Sequence, residues 1–244
     1  MKADEQDCEQ HFLDTYSQDA SGRYMVRLPF KKRVEDLKVN LGDSYNIALK
    51  TLMSMERKFD KNPVLKEEYE KFMSEFERLG HMKLAPIQDV NSYSDCYFLP
   101  HHGVLQGSKK LRMVFNASAK VDGVSLNDLL HTGPKLIPDL ANLILKWRRY
   151  EYVFVCDIEK MYRQFLLDLR DKKYQFILWR NRQKEILIHI AATITYAFKP
   201  APFMAIRTLL QLALDYGHLI PLALLIIKEE SYLDDFLSGA YSIE

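Results

Sequence analysis

The run Tyr232-Leu233-Asp234-Asp235 restricts the folding of this chain more than any other. Two neighbouring carboxylates stand within an apolar stretch, with Glu229-Glu230-Ser231 before the run and Phe236-Leu237-Ser238-Gly239 after it. A carboxylate set against apolar surface must stay hydrated, find a cation or shift its pKa. On a regular strand, adjacent side chains point to opposite faces, so both carboxylates can serve one site only if a tight turn re-aims them. The run therefore predicts a hairpin, and a divalent cation at its tip would offset the repulsion. With a third carboxylate from upstream, such a tip suits metal-dependent phosphoryl transfer.

Asp157 is the candidate for that third group. It ends the apolar run Tyr152-Val153-Phe154-Val155-Cys156, which reads as a buried strand, and Ile158 to Gln164 after it is helical in pattern. A strand end fixes the backbone while the side chain projects past the sheet, a good position from which to hold a cation. Capping the following helix is the competing use of the same aspartate.

The remainder divides into helices and short strands. Residues 1–20 are acidic and polar and read as a linker. Gly22 to Phe30 alternates basic and apolar residues, the mark of a half-buried strand ended by Pro29. Tyr45, Ala48, Leu49, Leu52, Met53 and Phe59 recur at helical spacing behind a cap at Asp43 or Ser44. Leu65, Tyr69, Phe72, Met73, Phe76 and Leu79 form a second stripe, with Pro63 near its start and Gly80 past its end. Prolines and glycines then break 81–136 into short pieces, of which 97–99 and 111–115 read as strands. A helix follows Pro138, with Leu140, Leu143, Ile144 and Trp147 on one face; 176–179 and 185–190 form a hairpin, and 203–216 another helix. The apolar stretch Leu219 to Ile227 contains Pro221, is too short to cross a bilayer, and reads as a buried strand or short helix.

Hydrophobic residues make up 48% of the 244 positions, which excludes a disordered chain. Lys and Arg number 34 against 33 Asp and Glu, so total charge gives no pull toward a polyanion and local clusters must supply any nucleic-acid contact. Two such clusters are Lys146, Arg148 and Arg149, and Lys172, Lys173, Arg180, Arg182 and Lys184. Cys8, Cys96 and Cys156 are odd in number and far apart, which fits a reducing compartment and no zinc site. His101 and His102 are badly spaced for one ion and are assigned to structure. The polar N-terminus lacks the apolar core of a signal peptide, so no secretion is implied.

Taken in order, a series of phrases resembles the reverse transcriptases of BEL/Pao-type long-terminal-repeat retrotransposons over nearly the whole chain. The series is Gly22-Arg23-Tyr24 with Leu28-Pro29-Phe30, Leu79-Gly80-His81-Met82, Leu99-Pro100-His101-His102, and Leu111-Arg112-Met113-Val114-Phe115-Asn116-Ala117-Ser118-Ala119-Lys120. It continues with Val124-Ser125-Leu126-Asn127-Asp128-Leu129-Leu130, Asp157-Ile158-Glu159-Lys160-Met161-Tyr162, Ala201-Pro202-Phe203 and the Tyr-Leu-Asp-Asp box.

The resemblance implies an α+β right-hand polymerase, with 21–98 a helical N-terminal extension of the fingers and 99–244 the fingers and palm, stopping before the thumb. It implies an RNA-directed DNA polymerase that transfers deoxynucleotides onto a primer 3′-hydroxyl. Asp157, Asp234 and Asp235 match the metal-binding catalytic triad for two Mg²⁺ ions, with Mn²⁺ as substitute, and the Ile158 carbonyl is an extra ligand. Arg112, with Lys109 or Lys110, matches the fingers cations that contact the triphosphate. Tyr162 matches the aromatic gate that excludes a 2′-hydroxyl, and Tyr196 opens the segment that lines the nucleotide pocket.

The partners implied are an RNA or DNA template–primer, dNTPs, and the protease, RNase H and integrase of a polyprotein, with no membrane. The location implied is cytoplasmic, in virus-like particles. Two positions depart from the family pattern: Ala197 stands where glycine is usual, and Asn116 where aspartate is usual. An alternative is a catalytically inactive, truncated remnant that at most binds nucleic acid. An unrelated two-metal nuclease is a third reading, disfavoured because nuclease chemistry needs no gate at Tyr162.

Overall fold

A computed structural model describes residues 2–31, 43–86, 96–106, 110–181 and 183–243. Within them the chain runs α1 (Ala3–Thr15), β1 (Ser17–Gln18), β2 (Tyr24–Val26), α2 (Ser44–Lys61), α3 (Pro63–Arg78), β3 (Met82–Leu84), β4 (His101–Gln106), β5 (Lys110–Phe115), α4 (Leu126–Leu129) and α5 (Leu140–Trp147). It goes on through β6 (Tyr152–Asp157), β7 (Leu166–Leu167), β8 (Phe176–Arg180), β9 (Ile186–Ala191), α6 (Ala201–Tyr216), α7 (Pro221–Glu229), β10 (Ser231–Tyr232) and β11 (Asp235–Ala240). Short 3₁₀ turns lie at Met161–Arg163 and Leu169–Tyr174. The architecture is mixed α/β.

Helices α2 and α3 show how single residues set the boundaries. The Asp43 carboxylate accepts the Asn46 N–H at 3.2 Å and starts α2; the Asn62 side chain accepts the Leu65 N–H at 3.1 Å and starts α3, with Pro63 in its first turn. Gly80, at φ +71°, ends α3: its N–H and that of His81 return to the carbonyls of Glu77 and Phe76 at 2.9 and 3.0 Å. Ala48, Leu52, Met55 and Phe59 of α2 are buried, as are Leu65, Tyr69, Met73 and Phe76 of α3. Met55, rather than Met53, turns inward.

Four small sheets follow. β4 pairs with β5, β3-β9-β8 is antiparallel, β1-β2-β7 includes a parallel β2–β7 pair, and β10-β11-β6 is antiparallel. Phe98, expected in a strand, makes only a lone bridge to Phe176. The main core draws on α1, β2, α2, α3, β5, α4, β8, β9 and the first half of α6, and a second cluster joins α2 to β8 and β9 through Phe98. Neither cluster takes a buried residue from α5, β6, α7, β10 or β11. At the centre, His101 is 3% exposed. Its Nε2 donates to the Leu178 carbonyl at 2.9 Å and its Nδ1 accepts the Tyr69 hydroxyl. Burial pushes its pKa down to about 4, so the ring is a neutral structural tie. Among the described residues no helix is long and apolar enough to cross a membrane.

Three expectations need correction. The opening segment is not a linker over residues 3–15: α1 buries Cys8 and Phe12, Arg207 lies over the Phe12 ring at 4.6 Å, and its Nε meets Glu9 at 2.6 Å. Two apolar residues one turn apart suffice once an ion pair completes the contact, too sparse a pattern to stand out in sequence. β6 forms where expected but is exposed along its whole length, because among the described residues it pairs with β11 alone and no core cluster reaches it. The 219–227 stretch contributes to a helix, α7, with no buried residue.

Candidate active site

The β6–β11 ladder runs in register from Tyr152 opposite Ala240 to Asp157 opposite Asp235. Two of the three carboxylates are therefore cross-strand neighbours at one end of the sheet. In the β10–β11 hairpin Tyr232 faces Asp235, which leaves Leu233 and Asp234 as the two-residue turn. Leu233 has φ +58°, the sign a II′ turn requires at that position and one that costs a residue with a Cβ about 1 kcal/mol. The Ile158 N–H donates to the Asp234 carbonyl at 2.8 Å and latches the hairpin tip to the end of β6. The Ile158 carbonyl, expected as an extra ligand, accepts the Met161 N–H at 3.2 Å.

Asp157, Asp234 and Asp235 are all exposed, so hydration is how the fold tolerates them. Among the described residues none of the three makes an ion pair or a side-chain hydrogen bond. Three uncommitted carboxylates fit the hard, all-oxygen donor set that magnesium takes. Among the described residues no three His, Cys, Asp or Glu side chains converge on one point. The carboxylates are thus neighbours through backbone register, and their side chains would turn inward to share an ion.

Beside the hairpin tip lies a cleft of about 170 Å³ walled in part by Asp234, Tyr162 and Tyr196. Tyr162 is half-buried in the 3₁₀ turn, and burial, with the nearby Asp234 carboxylate, raises its hydroxyl pKa. Tyr196 stands in the turn before α6 with its ring 6.1 Å from that of Phe115. Burial pushes its hydroxyl up to about 12, against the opposing pull of Arg163 and Arg112. Arg112 is exposed on β5, opposite Val104, and near enough to Tyr196 for its charge to be felt there. Lys110 opens β5, and Lys109 lies outside the described residues. The fold thus brings Asp157, Ile158, Asp234 and Asp235 together through backbone register and sets Tyr162 and Tyr196 in the wall of the adjoining cleft, with Arg112 outside that wall but within electrostatic reach of Tyr196.

No family model and no curated protein matches the chain. The reading of the site therefore stands on its geometry and on the ordered sequence phrases.

Several residues of the site carry no obvious sequence signal. Phe76 of α3, Lys160, Arg163 and Thr195 also wall the cleft. Asn127 holds the pocket segment in place: its Nδ2 donates to the Ala197 carbonyl at 3.0 Å and to Ser118 Oγ at 2.8 Å, and its Oδ1 accepts the Lys199 N–H at 2.8 Å. The basic clusters are largely committed elsewhere. Lys146 pairs with Glu229 at 2.6 Å and Glu230 at 3.5 Å, and Arg180 pairs with Glu56 of α2 through both Nε and a terminal nitrogen. Lys173 lies 5.3 Å from the Tyr174 ring centre, and burial and repulsion from Lys83 lower the Lys172 pKa. Arg182 lies outside the described residues.

Proposed function

We propose that this chain is the fingers and palm of an RNA-directed DNA polymerase, with Asp157, Asp234 and Asp235 as the holders of two Mg²⁺ ions, or Mn²⁺ in their place. The observation that carries the reading is the register that sets Asp157 opposite Asp235, with Asp234 at the adjoining tip beside a cleft walled by Tyr162. Ions bound there would activate a primer hydroxyl and neutralise the pyrophosphate leaving group.

The protein's own part is placement. The Ile158–Asp234 backbone bond keeps the carboxylates of two strands at one level while the side chains adjust. Arg112, exposed and without an ion-pair partner among the described residues, supplies a planar fork for the triphosphate. The Tyr162 ring, at the cleft wall next to Asp234, stands against a 2′-hydroxyl and so favours deoxynucleotides. Asn127 fixes the Tyr196 turn that faces the base.

Primer extension on an RNA template with Mg²⁺ and deoxynucleotides tests the reading. The wild type extends the primer, and Asp234→Asn lowers the rate by about 10³-fold or more, since several kcal/mol of charge stabilisation is lost. Equal extension by the two proteins would overturn it. The bare β6 sheet favours a second reading, an inactive remnant that at most binds nucleic acid. Such a protein extends nothing, yet retards a template–primer duplex in a gel with strong salt dependence.

A further inference from the structure

We infer that Lys160 and Arg163 form a cationic subsite for the triphosphate of the incoming nucleotide, and that Lys160 reaches it by leaving an ion pair with Glu75. The inference rests on the polymerase reading and adds two residues to it, neither among the cations assigned to the triphosphate above.

Arg163 is the fixed half. Its guanidinium stacks on Phe72 and Phe76 of α3, 5.4 and 5.0 Å from the ring centres, and among the described residues it has no carboxylate partner and makes no side-chain hydrogen bond. Burial lowers its pKa, against the opposing pull of Tyr196 and of Glu75, which lies near but does not pair with it. A half-buried, unpaired guanidinium in a cleft wall is satisfied by an anion. Thr195, on the same cleft, is 3% exposed, and its hydroxyl has no hydrogen-bond partner among the described residues. Two separate donors therefore stand unsatisfied around one space.

Lys160 is the mobile half. It adopts φ +52° and ψ +44°, a left-handed backbone that a residue with a Cβ keeps only where its surroundings hold it there. Its ammonium lies 3.3 Å from Glu75 of α3 and 3.3 Å from Glu159. All three side chains are open to solvent, so these pairs are weak and exchange readily. In the cleft, Lys160 and Arg163 face one carboxylate, Asp234. A metal ion that neutralised that carboxylate would leave the two cations as the charged side chains of the cleft wall. A triphosphate matches two cations and a hydroxyl donor beside a metal-binding aspartate, whereas a neutral ligand would leave Arg163 uncompensated.

The test uses the whole chain and two readouts: calorimetric binding of a deoxynucleoside triphosphate with Mg²⁺, and the nucleotide KM in primer extension. Lys160→Gln is expected to raise Kd and KM about tenfold with little change in kcat, the loss of one charge-assisted contact. Lys160→Arg restores most of the affinity. Glu75→Gln, which removes the competitor for Lys160, tightens binding about twofold to threefold. If Lys160 only ties the turn to α3, Glu75→Gln weakens binding as much as Lys160→Gln, and the inference is overturned. Equal binding by wild type and Lys160→Gln also overturns it while leaving the polymerase reading intact. A wild type that neither binds the triphosphate nor extends a primer removes both.

Discussion

Tyr97, Phe98 and Leu99 are fully buried, whereas Tyr152, Val153, Phe154 and Val155, an equally apolar run, are 43–56% exposed. The first run is wedged between α2 and β8 and feeds both core clusters; the second lies on a strand that, among the described residues, has a partner on one side only. What sets burial is the layer placed across a strand, and the strand's own composition does not reveal it. The candidate site sits on the less packed of the two regions. Order there comes from polar stitching: the β6–β11 ladder, the Ile158–Asp234 latch, and the Trp147 indole N–H, which reaches the carbonyls of Ser238 at 3.1 Å and Phe154 at 3.3 Å.

The sharpest way to break this comparison is to truncate one aromatic or apolar side chain in each region. Phe176→Ala, at a fully buried position in β8, is expected to cost about 4 kcal/mol, against less than about 1 kcal/mol for Val153→Ala on β6, both read from urea denaturation. Similar losses at the two sites would mean that the hairpin sheet is packed in solution after all.

Acid titration asks the same question more gently. The His101 pKa of about 4 lies below its ordinary 6.5, so the fold binds the neutral ring. Its stabilisation is complete above about pH 6.5 and drains away as pH falls toward 4. Between pH 7 and 4.5 the loss is about 2 to 3 kcal/mol. His101→Gln should flatten that part of the pH profile; an unchanged profile would mean that the tie to Tyr69 and Leu178 does not hold the ring neutral. The smallest effect is expected at the hairpin tip. Leu233→Gly relieves the left-handed backbone and raises the melting free energy by up to about 1 kcal/mol, less whatever the lost side chain contributed. A clear destabilisation would show that the Leu233 side chain, not the turn geometry, holds the tip.

The same contrast explains what could be read from residues alone. α2 and α3 were legible because their caps, stripes and the glycine at position 80 are all local signals. The hairpin at 232–235 was legible because adjacent carboxylates in an apolar run demand a turn. α1 was not, since Cys8 and Phe12 reveal themselves only when Arg207, far along the chain, closes over them. Lys160 and Arg163 escaped for the same reason: their significance comes from Glu75, Phe72 and Phe76, brought across from α3 by the fold. The apolar run of β6 marks the strand but not its exposure, because such a run does not say whether anything covers it.

The outer edge of β6 has a further consequence, for self-association. A strand edge with no partner among the described residues, apolar side chains on both faces and no proline is a ready template for another copy of itself. Laid antiparallel with Phe154 against its own counterpart, two such strands bring Glu151 of each copy opposite Asp157 of the other, and like charges directly opposed are repelled. The aspartate at the end of the strand, a member of the candidate metal site, is thus also half of the charge pair that would guard the edge. A divalent cation that quenches it would weaken that guard.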